Sequence, residues 1–136
     1  YLDDNNLLYF SALHIACGHF YTQDPGLRLY VDIDRLIRTK NIDWDKIKQL
    51  EQCDNAGIRV TIVLLICNRV FGTPIPKFFS NRIKNNFFHS LLLNFLIREK
   101  SINQNINKFQ KLFVEILSNS NFKFLKFENI IDVIKS

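Results

Sequence analysis

The stretch AGIRVTIVLLICNRVF at positions 56–71, followed by GTPIP at 72–76, decides the fold class of this chain. Apolar residues fall on nearly every side of a helix drawn through it, which predicts a helix lying in the middle of a bundle. Its longest apolar run, Val60 to Cys67, is interrupted by Thr61 and closed by Arg59 and Arg69. That is far short of the roughly 20 residues that cross a bilayer, so a buried core helix is expected and no membrane partner. Gly72, Pro74 and Pro76 end it, because glycine accepts a left-handed C-cap and proline cannot continue the hydrogen-bond ladder.

Helical spacing continues on both sides of this segment. From Leu7 to Tyr21 apolar residues recur at one-turn intervals, with N-cap candidates in Asp3 to Asn6 and a stop in TQDPG at 22–26. Leu27 to Arg38 carries an apolar face of Leu29, Tyr30, Ile33, Leu36 and Ile37. A third helix starts at Asp43, a residue suited to cap free backbone N–H groups, and runs to about Gln52, with Trp44 as a packing anchor. Asp54 or Asn55 is the expected cap of the central helix. Downstream, Phe78 to Lys100 reads as one long amphipathic helix, followed by Ile102 to Leu117 and a short Leu125 to Ile134. The expected class is all-α: one helical-bundle domain of about six or seven helices spanning residues 1–136.

Composition agrees with this. Of 136 residues 47% are apolar, thirteen are Phe and only seven are Gly or Pro, which suits packed helices better than a strand-and-turn fold. The odd, widely spaced set Cys17, Cys53 and Cys67 suggests free thiols in a reducing cytoplasm. No signal peptide is legible and no Met stands at the start, so Tyr1 reads as a fragment boundary. Charge is uneven. Residues 1–76 hold eight Lys/Arg against nine Asp/Glu, a net of −1, and residues 77–136 hold ten against four, a net of +6. A solvated face is the plainer account of that excess and a nucleic-acid surface the weaker one, since no reader motif accompanies it.

Side chains that carry chemistry are few. His14 and Cys17 stand three apart with His19 close behind, but zinc needs three or four converging ligands and the other cysteines fall in separate helices. No metal site is expected, and His14 and His19 read as core histidines or as supports behind a site. The glycines at 18, 26, 57 and 72 are isolated, which excludes a Gly-rich phosphate loop. Asp32 and Asp34 stand roughly 200° apart on a helix and cannot grip one ion. Arg28, Asp32 and Arg35 do share a face, either as a solvent-facing ion-pair ladder or as a cleft-facing set that contacts phosphate and metal.

The order of landmarks adds a resemblance. His14 and His19, then GLRLYVDI at 26–33, then IDWD at 42–45, then an apolar helix ending in GTPIP at 72–76 resemble the C-terminal helical half of the uncharacterised nucleotidyltransferase family. That family is a branch of the DNA polymerase β-like nucleotidyltransferase superfamily, and the likeness covers about residues 8 to 76; residues 77–136 contribute further helices of the same domain. It implies transfer of NMP from an NTP to an unidentified acceptor, on a sheet with a Gly-Ser turn and strand carboxylates that hold Mg2+. This chain has neither the Gly-Ser pair nor a strand Asp-x-Asp, so the catalytic domain that the resemblance implies lies upstream or is absent, and this part is expected to be inactive alone, with no cofactor of its own. Arg28, Asp32 and Arg35 are then nucleotide-cleft candidates. A non-enzymatic helical interaction or regulatory module, associated with nucleic acid through the basic half, is the alternative expectation.

Overall fold

The computed structural model describes residues 2–19, 21 and 27–97. Six α-helices and one π-turn occupy them, and they contain no strand: α1 (Asp4–Leu13), the π-turn (His14–Gly18), α2 (Arg28–Thr39), α3 (Trp44–Asp54), α4 (Gly57–Phe71), α5 (Lys77–Lys84) and α6 (Phe87–Ile97). The expected all-α class is what the chain adopts. The expected turn at 22–26 and helices at 102–117 and 125–134 lie outside the described residues.

The central position of α4 follows from its sequence. Every residue from Val60 to Cys67 is buried, and all five other helices pack against it. Full burial of one such aliphatic side chain is worth about 1.5–3 kcal/mol, so this helix organises the core. α2 buries Tyr30, Ile33 and Ile37 against it and leaves Arg28, Asp32 and Arg35 exposed on the opposite side.

Helix ends show which local signals prevail. Asp3 caps α1 by accepting from the Asn6 N–H at 2.8 Å, and also holds Lys46 of α3. Asp43 caps α3, as expected, accepting from Asp45 and Lys46 N–H groups at 3.1 Å each. Gly72 ends α4 with φ +69°, the left-handed conformation glycine adopts without strain. The expected cap of α4 is corrected: neither Asp54 nor Asn55 fills it, and Ala56 stands there without a side-chain bond. Asn55 instead closes α3 in the left-handed region with φ 52°, while Asp54 accepts from the Tyr9 hydroxyl at 2.9 Å.

Two expected helices are interrupted. The long helix over 78–100 breaks at Asn85 and Asn86; the Asn86 side-chain oxygen accepts from the His89 N–H at 3.4 Å and so begins α6. The first helix changes pitch at His14, and Tyr21, with φ 62°, donates its N–H to Ile15 O at 2.9 Å. A left-handed tyrosine is strained, at about 1–2 kcal/mol. It is held because its ring is buried and its carbonyl accepts from the Tyr30 hydroxyl at 2.7 Å.

Trp44 is half-buried rather than enclosed, its ring edge-on to Phe79 with centroids 5.6 Å apart. We expect Trp44→Ala to lose about 2–3 kcal/mol in chemical denaturation, below the 3–5 of an enclosed ring. A loss under about 1 kcal/mol would show that the contact with α5 contributes little.

Candidate functional site

α1 and α2 cross so that a groove of about 270 Å³ opens between them, lined by Phe10, Ser11, His14, Ile15, Leu29 and Asp32. Of its apolar lining, Ile15 is buried, Leu29 half-buried and Phe10 exposed. Asp32 and His14, eighteen residues apart, reach one cavity. Arg28 and Arg35 share the helix with Asp32 but do not line it, and no ion pair links the three. The ion-pair ladder is therefore not formed.

Asp34 is used differently from Asp32. Its carboxylate accepts from Arg38 Nε at 2.8 Å and from the Thr73 hydroxyl at 2.6 Å, and Arg38 reaches on to Phe71 O at 3.0 Å. Asp34 ties α2 to the end of α4, and Asp32 faces the α1 groove. The two carboxylates serve separate surfaces, as their spacing on a helix requires. Among the described residues no three His, Cys, Asp or Glu side chains converge to enclose a metal ion.

A second groove, of about 360 Å³, lies where α3, α4 and α5 meet and was missed from sequence. Glu51, Asn55, Gly57, Phe78 and Arg82 line it. Glu51 is almost fully buried, and its Oε2 accepts from Arg82 Nη1 at 3.0 Å. The same nitrogen donates to Gly57 O at 3.0 Å and Thr61 Oγ1 at 2.8 Å. Glu51 Oε1 is buried without a hydrogen-bond partner among the described residues. Burial raises the Glu51 carboxyl above its ordinary value of 4.5, and Arg82 opposes that only in part. A Cβ at Gly57 would stand 2.9 Å from Arg82 Nη1, so the missing side chain is what admits the guanidinium. That isolated glycine was the one local signal of this contact.

The cysteines are free: Cys17 and Cys53 are exposed, and Cys67 is buried, where desolvation pushes its thiol up to about 12 and keeps it an inert packing group. No described helix is long and apolar enough to cross a membrane. Of the basic residues after position 76, Lys77, Arg82 and Lys84 are described, and Arg82 is engaged with Glu51. No protein-family model, curated protein or solved structure matches the chain.

Proposed function

We propose that this chain is the helical, substrate-side portion of a nucleotidyltransferase-like protein, completed by a catalytic sheet and moving NMP from an NTP to an acceptor. The observation that carries the reading is the meeting of Asp32 and His14, two landmarks of the resemblance, at one groove whose rim is on the helix bearing exposed Arg28 and Arg35. A planar guanidinium suits a polyphosphate, which it grips through paired N–H donors. Asp32, exposed and without an intramolecular ion pair among the described residues, is available to a ribose hydroxyl or to a cationic group of the partner domain. Three free thiols fit a cytoplasmic setting.

In this reading magnesium is held elsewhere. Asp34 is committed to Arg38 and Thr73, and Asp32 stands on the other surface of α2. Metal chemistry in this reading belongs to carboxylates of the sheet, and the helical portion positions the nucleotide. In the protein carrying both parts, Arg28→Ala or Asp32→Asn should leave melting nearly unchanged, because both side chains are exposed. Each should lower kcat/KM for nucleotidyl transfer at least about tenfold, or roughly 1.4 kcal/mol of transition-state binding. Turnover unchanged in both variants would remove the stripe from the site.

A further inference from the structure

On a regular α-helix, residues five apart point about 140° away from each other, so His14 and His19 would not meet. The π-turn at His14–Gly18 changes this, because its wider i to i+5 repeat stacks the nineteenth residue over the fourteenth. The two Nε2 atoms lie 3.1 Å apart while the ring centroids are 4.7 Å apart, so the rings turn their Nε2 edges toward each other. Gly18 leaves room for this, since a Cβ there would stand 3.1 Å from His14 Nδ1.

Two imidazole nitrogens held about 2.0–2.1 Å from one tetrahedral zinc stand roughly 3.3 Å apart. The observed separation is close to that value. We propose that the Nε2 atoms of His14 and His19 form a two-histidine site for a divalent transition ion of the zinc type. Imidazole is a preferred ligand for such ions, which it binds through the lone pair of a ring nitrogen. Among the described residues these two side chains are the ones that converge on it. His14 is exposed and also lines the groove that contains Ser11 and Asp32, so an ion there is reachable from solvent and borders that groove. π-turns are rare and concentrate at functional positions, and here the visible result of one is the meeting of two metal-binding side chains. The inference is independent of the nucleotidyltransferase reading.

With zinc bound, both Nε2 atoms are unprotonated and each ring carries its proton on Nδ1. The test is calorimetric titration of the whole chain with zinc chloride, in a Cys17→Ser, Cys53→Ser background that removes the two exposed thiols. One zinc per chain is expected, with His14→Ala and His19→Ala each weakening it at least about tenfold, the scale already seen when a mere supporting partner of a ligand is lost. Nitrogen NMR of the imidazoles needs no histidine substitution and should show both rings in the Nδ1–H form when zinc is added. Absence of binding, binding unchanged in both histidine variants, or imidazole spectra that zinc leaves unaltered would overturn the site.

Discussion

Replacing Arg82 by alanine should cost about 3–5 kcal/mol of folding stability at neutral pH, read by urea or guanidinium denaturation. The guanidinium is the charge partner of Glu51, whose side chain is 2% exposed, and it also bonds Gly57 O and Thr61 Oγ1. Without it a carboxylate stays in the junction of α3, α4 and α5 with neither oxygen bonded to Arg82, and desolvation is no longer offset. The loss depends on pH with a definite sign. Because burial raises the folded carboxyl above 4.5, Glu51 favours folding most below that value, and its contribution falls as pH rises through the folded value. Arg82 restrains that rise, so Arg82→Ala should extend the fall to higher pH, and the gap between variant and parent should close toward pH 4 as Glu51 protonates. Adding Glu51→Gln should recover part of the loss at neutral pH. A gap that is constant from pH 4 to 8, or unaffected by Glu51→Gln, would mean that Arg82 acts through packing alone.

The second large effect is expected at Phe79. Its side chain is 0% exposed and its ring meets Trp44 edge-on at 5.6 Å and Phe78 at 5.1 Å. With the Arg82–Glu51 pair, it is one of the contacts that hold the short helix α5 to α3. Phe79→Ala should cost about 3–5 kcal/mol, the transfer of the ring to water plus the cavity left behind. α5 has only eight residues and little helical stability of its own, so the damage should be felt locally as well as globally. Hydrogen exchange in residues 77–84 should speed up more than in α4. Uniform acceleration across all helices would show instead that α5 does not open independently. Phe79→Leu, which keeps most of the apolar volume, should lose much less than Phe79→Ala.

These two effects concern contacts that could not be read from local spacing, whereas other features could. The apolar surround of residues 56–71 requires burial whatever its neighbours are, because any exposed face would be greasy; α4 accordingly lies inside. The Asp43 cap and the Gly72 stop depend only on backbone groups within one turn, and both stand where the spacing put them. The same holds for the separation of Asp32 and Asp34 on α2, a consequence of helical pitch. Asp54 and Asn55 are a harder case. Each is a good cap residue, yet Asn55 closes the preceding helix and Asp54 is taken by Tyr9, forty-five residues away.

Local pattern determined that this chain is all-α, where its central helix runs, which faces of its helices are apolar and that Arg28, Asp32 and Arg35 stay outside. Tertiary structure decided the rest. The Glu51–Arg82 pair joins residues thirty-one apart, and their approach depends on how α5 crosses the α3–α4 junction and on the missing side chain of Gly57. The turn at Asn85 and Asn86 divides a stretch whose periodicity is continuous, since apolar spacing reports burial and not whether the axis bends. At His14–Gly18 the sequence is compatible with an ordinary α-helix; the extra residue per turn is held by distant partners, the buried Tyr21 and the Tyr30 hydroxyl on its carbonyl. Periodicity averages over a helix, so it locates faces well. The balance between an α-turn and a π-turn is small and is settled by packing from other parts of the chain, which is why the pairing of His14 with His19 becomes visible only in the folded molecule.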